Sequence, residues 1–200
     1  MKNKIAALLL SCCLATGAKA QIDPNPIKNY RNFPVILTAQ FHSLTLPFKD
    51  LKSNFSNVGL GIGTEVSLNK KHKWVQQVNG VWYRNRAVGN GLLFYTQTAW
   101  RPKLISNFYA EVKAGAGYML AFRPVESYKP DNGDWVSVGT KGKGLITVPV
   151  GISVGYNKYS SHTYLSPFVS YQLLVLPNYN KSIPIVPETL LQAGVKIYYK

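Results

Sequence analysis

Two hundred residues make about one domain of chain, and 23 Lys and Arg against 8 Asp and Glu give a formal net charge of +15. Such a basic excess raises nucleic acid as a partner. The cationic residues fall mainly between strand-like segments or near their ends, however, with no basic helix and no recognisable nucleic-acid motif, so that class is set aside.

In chain order, the first signal is a leader. Lys2 and Lys4 form a basic start, residues 5–10 begin an apolar stretch, and Ala18-Lys19-Ala20 places small residues where a signal peptidase reads. The spacing predicts a secretory signal over residues 1–20 with Gln21 as the mature N-terminus. The apolar run is far short of the ~20 residues a spanning helix needs. Leu9-Leu10-Ser11-Cys12 also reads as a lipobox, which would lipidate Cys12 instead. Cleavage after Ala20 removes both cysteines, Cys12 and Cys13, and hence any disulfide framework; it also removes three lysines, lowering the charge from +15 to +12. Residues 21–34, with Pro24, Pro26 and Pro34, read as an extended periplasmic lead-in.

Eight strands are predicted after that, over 35–46, 58–68, 72–85, 92–101, 108–121, 145–156, 163–176 and 189–200. The pattern is clearest in the sixth, where Ile146, Val148, Val150, Ile152, Val154 and Tyr156 alternate with Leu145, Thr147, Pro149, Gly151, Ser153 and Gly155. A period of two means a strand with one apolar face. The same division recurs at 58–68, interrupted only by Thr64, and at 191–199. Long strands with one apolar face and one of Gly, Ser and charge predict an all-β fold: an eight-stranded antiparallel up-and-down transmembrane β-barrel over residues 35–200, apolar side toward lipid.

The connections support that topology. Those after the second, fourth and sixth strands are short, whereas those after the first, fifth and seventh are long; only the segment 86–91 breaks the trend. Outer-membrane barrels carry short turns on the periplasmic rim and long loops outside, so both termini are expected in the periplasm. The segment 122–144, with Pro124, Pro130, Asp131, Asn132, Gly133, Asp134 and Gly139, is expected to be the longest exposed loop.

Strand parity also sorts the side chains. Glu65, Arg101, Glu111, Lys113 and Lys196 fall opposite the apolar residues of their strands and would form a charge network in the lumen, pairing with one another because an unpaired buried charge is very costly. A full interior disfavours a general porin. On the apolar faces, Trp74, Trp82, Trp100, Tyr118, Tyr156 and Tyr199 are aromatic-girdle candidates, joined by Phe94 and Tyr164. Gln76 shares the parity of Trp74 and Trp82 and is a misfit there unless a bulge intervenes. Arg84, Arg86 and Arg123 fall where strands leave the membrane on the loop side and are candidate contacts for anionic lipid headgroups.

The alternating segments and the terminal Gly194-Val195-Lys196-Ile197-Tyr198-Tyr199-Lys200 resemble small outer-membrane β-barrels of the OmpA/OmpX type. Segments such as Tyr164-Leu165-Ser166-Pro167-Phe168-Val169-Ser170-Tyr171 are similar to uncharacterised outer-membrane barrels of Bacteroidetes-type, Gram-negative bacteria. The resemblance implies outer-membrane lipids, lipopolysaccharide and the barrel-insertion machinery as partners, and a monomer. The terminal aromatic signal of such barrels is here followed by Lys200. It implies a non-enzymatic protein that spans the outer membrane and displays loops, with adhesion or envelope integrity as its contribution. Two other readings stay open. A lipid A deacylase or acyltransferase would need an activated Ser and His near the outer rim, and the candidates are His42-Ser43 and Ser161-His162; neighbours on a strand face opposite ways, so neither pair is self-evidently a dyad. A soluble lipocalin-like carrier has a similar strand number but puts its apolar face inward and its charges toward water. His72 sits beside a basic turn. No metal-ligand spacing is found, Gly59-Leu60-Gly61-Ile62-Gly63 is a strand face rather than a nucleotide fingerprint, and no cofactor is expected.

Overall fold

The computed structural model describes residues 33–43, 55, 57–69, 71–86, 89–139, 142–158, 163–177, 179 and 185–199. The predicted signal peptide, nearly all of the lead-in, Ser161 and His162 lie outside the described residues.

The alternating segments form β1 (Val35–Ser43), β2 (Val58–Ser67), β3 (Trp74–Tyr83), β4 (Gly91–Trp100), β5 (Phe108–Ala121), β8 (Lys143–Tyr156), β9 (Thr163–Pro177) and β10 (Ile185–Tyr199). They close into a barrel in the order β1-β10-β9-β8-β5-β4-β3-β2. Every pairing is antiparallel, and β1 seals against β10 from Val35 opposite Ile197 to Ser43 opposite Thr189. A closed barrel leaves no unpaired edge, the condition for a sheet to stand in lipid.

The segment 122–144 differs from the open loop expected of it. It holds β6 (Ser127–Asp131) and β7 (Asp134–Gly139), a separate two-stranded sheet. Between them Asn132 and Gly133 take φ of 50° and 94°, the left-handed pair that a two-residue hairpin turn needs and that Asn-Gly supplies. The strands escape a reading by alternation because each is short, mixed in polarity and, in β6, carries Pro130.

Burial settles which face is which. On β8 the fractional exposures of Ile146, Ile152 and Val154 are 63%, 55% and 53%, whereas Leu145, Thr147 and Ser153 are at 3%, 0% and 3%. The apolar side chains point out and the polar ones point in, opposite to a water-soluble barrel. Lumen-facing glycines give the larger side chains room: a Cβ on Gly151 would lie 2.7 Å from Gln172 Cγ and 2.8 Å from the Tyr171 carbonyl oxygen, and one on Gly155 would run into the Tyr109 ring. Lumen substitution at Gly151 is therefore not the mild change that a spacious interior would allow, because eight strands enclose only enough space for side chains to fill.

Three layers stack along the axis. Ionised groups occupy the short-turn end, glutamines the middle, and an apolar cluster including Leu93, Met119, Leu145, Leu174, Leu176 and Leu190 the loop end.

Candidate functional site

The charged layer is assembled from distant parts of the chain by register. β2 supplies Glu65, β5 supplies Glu111 and Lys113, β10 supplies Lys196, and Arg101 follows the end of β4. Arg101 Nη2 reaches Glu65 Oε2 at 2.5 Å and Glu111 Oε1 at 2.6 Å. Lys196 Nζ donates to the same two oxygens at 3.0 and 2.6 Å. The two carboxylates are thus bridged twice by cations. Lys113 is looser, with its Nζ 3.7 Å from Glu111 Oε2 and 5.7 Å from the centre of the Phe168 ring.

Neutral neighbours complete the carboxylate shells. Ser153 Oγ donates to Glu111 Oε2 at 2.7 Å, Gln77 Nε2 to Glu65 Oε2 at 3.0 Å, and the Tyr198 hydroxyl to Glu65 Oε1. Buried charge is tolerable only with such complete pairing. From Gln77 the bonding continues upward: Gln97 donates to Gln77 at 2.8 Å, and Gln172 to Gln97 at 3.3 Å. These amides all point their donors toward the carboxylates, so each bond polarises the next. Tyr198, Ser153 and Gln77 carry no sequence signal beyond lying on the inward parity of their strands.

Tyr164 belongs to this interior and not to the aromatic girdle proposed for it. It is buried and stacks on Tyr198, ring centroids 4.5 Å apart, because it shares its parity with Ser166, Phe168 and Ser170, all of which point inward.

A second polar group is set in the apolar layer. His42 is fully buried; its Nε2 lies 3.0 Å from Glu188 Oε2, and Asn85 Nδ2 lies 2.9 Å from its Nδ1. Its ring stacks on Tyr83 at 4.0 Å, and the Tyr83 hydroxyl donates to the same Glu188 oxygen at 3.0 Å. The imidazole fits the tautomer with its proton on Nε2, donating to the carboxylate and accepting from the amide. A carboxylate-oriented histidine is half of a nucleophile-activating pair. Ser43 is the next residue of β1 and is itself buried at 3% exposure, but neighbours on a strand direct their side chains to opposite faces, so adjacency alone does not pair it with His42. Glu188 escaped the sequence reading because it is 146 residues from His42 and lies ahead of the stretch in which β10 alternates.

On the outer face, Trp74, Trp82, Trp100, Tyr118, Tyr156 and Tyr199 are all substantially exposed, as is Phe94. Trp74 and Trp100 oppose each other across β3 and β4 at the short-turn rim, where Tyr156 packs on Phe108 with ring centroids 4.9 Å apart. Gln76 also faces outward, with no bulge in β3. Its amide is paired locally: Nε2 donates to Thr96 Oγ1 at 2.6 Å, and Thr98 Oγ1 donates to Oε1 at 2.7 Å. Arg84 and Arg86 are exposed on the continuation of β3 while Tyr83 and Asn85 between and beside them are buried, and Arg123 is exposed beyond β5. At the opposite rim, His72 occupies a tight turn with φ of 51°, its Nδ1 bonded to Ser67 Oγ. Burial first, and then the Arg101 charge, hold its pKa below the usual 6.5. Among the described residues no group of His, Cys, Asp and Glu has the geometry to hold a metal ion.

No family model matches the chain, and no curated protein matches its sequence. Among solved structures, the Neisserial surface protein A is similar at 14% identity with a TM-score of 0.56, covering 85% of this chain and 99% of that one. The N-terminal β-barrel domain of Pseudomonas aeruginosa OprF is similar at 11% identity, TM-score 0.48, covering 85% and 99%. Ail, the attachment invasion locus protein of Yersinia pestis, is similar at 10% identity, TM-score 0.48, covering 84% and 97%. The likeness to the Neisserial protein is one of fold: a small, closed, eight-stranded barrel.

Proposed function

We propose that this protein is a non-enzymatic outer-membrane β-barrel, exported by a cleaved signal peptide, whose task is to span the outer membrane with its termini in the periplasm and to hold loops outside the cell for adhesion or envelope integrity. The observation that carries this reading is the inversion of the barrel: Glu65, Glu111, Lys113 and Lys196 buried at 1–3% exposure inside, and outward residues such as Val150, Trp82 and Ile146 at 43%, 46% and 63% outside. An apolar exterior of that extent is stable only against lipid. Its partners are outer-membrane lipids and lipopolysaccharide, with the insertion machinery placing it there as a monomer. The filled lumen supports a structural part over a general pore. The β6–β7 hairpin supports loop display: Trp135 and Tyr128 are 72% and 56% exposed on an isolated two-stranded sheet, and exposed aromatics of this kind are common anchors of recognition.

Membrane fractionation with and without heating before electrophoresis tests the reading. The protein is expected with the outer membrane and to change mobility once heated; release with periplasmic contents would overturn it. In the same cells His42→Ala is expected to leave the acyl-chain pattern of lipid A unchanged, and a changed pattern would promote the lipid-modifying enzyme.

A further inference from the structure

The outer face of β10, β1, β2, β3 and β4 is not smooth. It contains a groove of about 720 Å³ lined by apolar atoms. Leu60, Trp82 and Phe94 stand as its walls, at 66%, 46% and 55% exposure, around Ala39, Gly80 and Ala193. The Phe94 ring leans toward Gly80, where a Cβ would be 3.2 Å from its Cε1. Two residues beyond Trp82 on the same outward parity comes Arg84, exposed, its backbone N–H bonded to the Val58 carbonyl at 3.0 Å so that it extends the β3 ladder. A rise of two residues places its Cα ~7 Å along the strand from the groove wall, within reach of a guanidinium. Arg86 follows on the same side.

We propose, building on the outer-membrane reading, that this groove and Arg84 form a discrete site for one anionic lipid, an acyl chain lying between Trp82, Phe94 and Leu60 and a phosphate bonded by the Arg84 guanidinium. An apolar slot with a cation at its loop-side mouth is complementary to an amphiphile with a negative head. A second copy of the chain fits less well. In a chain whose formal charge is still +12 after removal of Lys2, Lys4 and Lys19, a two-fold contact on this face would bring Arg84 and Arg86 of both copies into one interface. The low floor at Ala39, Gly80 and Ala193 and the single flanking Arg84 define one place on the outer face, so the site predicts a lipid held at one-to-one stoichiometry rather than a shell of exchanging ones.

Native mass spectrometry of the full chain, purified in detergent and titrated with phosphatidylglycerol or with phosphatidylcholine of identical chains, tests this. One phosphatidylglycerol is expected to bind saturably, and about tenfold more tightly than phosphatidylcholine, as befits one charge-assisted contact. Arg84→Gln is expected to abolish that preference, weakening phosphatidylglycerol about tenfold more than phosphatidylcholine, whose phosphate is already offset by its own ammonium. Ala193→Leu, which fills the groove from the lipid side, is expected to weaken both lipids by more than about tenfold. Heat-modifiable mobility of each variant shows that it is folded. Graded binding without saturation, or one-to-one binding that Ala193→Leu leaves intact, would overturn the site. A dimer lost on Ala193→Leu would assign the groove to a second copy. Failure of the wild-type chain to insert into vesicles would instead overturn the outer-membrane reading itself; a chain that inserts yet binds no discrete lipid would overturn only the site.

Discussion

Lys196 and Lys113 carry the same charge inside the same lumen, yet their surroundings predict different responses to neutralisation. Lys196 joins Glu65 to Glu111 at 3.0 and 2.6 Å. Lys196→Met therefore leaves two buried carboxylates short of a partner, and a loss of ~3–5 kcal/mol is expected. Lys113 contacts one carboxylate oxygen at 3.7 Å, and that oxygen keeps its bond from Ser153. Lys113→Met should change stability by no more than ~1 kcal/mol. Urea unfolding in lipid vesicles followed by tryptophan fluorescence gives the order, and the reverse order would contradict the pairing described. At the rim, His72 predicts a pH effect. Burial and the nearby Arg101 charge lower its pKa in the folded state, so between that value and the ordinary 6.5 the unfolded chain binds a proton that the folded chain does not. Stability then falls as pH drops below about 6.5, levels off below the folded pKa, and is fully present above the unfolded one. His72→Asn, which suits the left-handed turn, is expected to flatten this part of the stability–pH curve. An unchanged slope would assign it to other groups.

The strand is the scale at which lipid acts on this chain. Val150 lies on β8 between Val148 and Ile152, all three outward, whereas Tyr156 is the last residue of the strand, exposed at the short-turn rim. Val150→Arg is expected to destabilise the inserted barrel by ~2–4 kcal/mol and Tyr156→Arg by ~0–1, because the cost of a lipid-facing cation falls with distance from the midplane. Equal costs in vesicle unfolding would mean that β8 does not cross the bilayer. The same depth argument accounts for Gln76: its partner across the ladder is Thr98, only two residues from the Trp74–Trp100 pair at the rim, so its amide sits close to the interface and is bonded to threonines besides. Long alternation made β5 and β8 legible, and with them the inward parity of Glu111 and Lys113. β10 begins earlier than its alternation suggests, since Pro187, Glu188 and Thr189 interrupt the apolar series. What parity cannot convey is who meets whom across the lumen. The His42–Glu188 contact and the Tyr198–Glu65 bond depend on the registers of several strands at once, and no local pattern encodes those registers.

For the whole molecule, the two rims define opposite sides of a membrane, and the topology is testable by labelling. The Asn132–Gly133 turn crowns the β6–β7 hairpin, and a Cβ placed on Gly133 would meet nothing within 4 Å, so an epitope inserted between these residues disturbs no packing. On the other rim Asn157 is unsuitable although the sequence places it in a short turn. It is buried, its amide oxygen accepts from Ser166 Oγ at 3.1 Å, and its N–H donates to the Asn107 carbonyl at 2.9 Å. The turn after β4 offers a better position: Ile105 is 75% exposed and Ser106 has a φ of 53°. An epitope at 132–133 is expected to bind antibody on intact cells, and one between Ile105 and Ser106 only after the outer membrane is permeabilised. Both variants should retain heat-modifiable mobility, because neither insertion enters a barrel strand or the filled lumen. Labelling of intact cells at 105–106 alone would invert the barrel and move Arg84, Arg86 and the mouth of the lipid groove to the periplasmic leaflet, where the lipid chemistry they face is different.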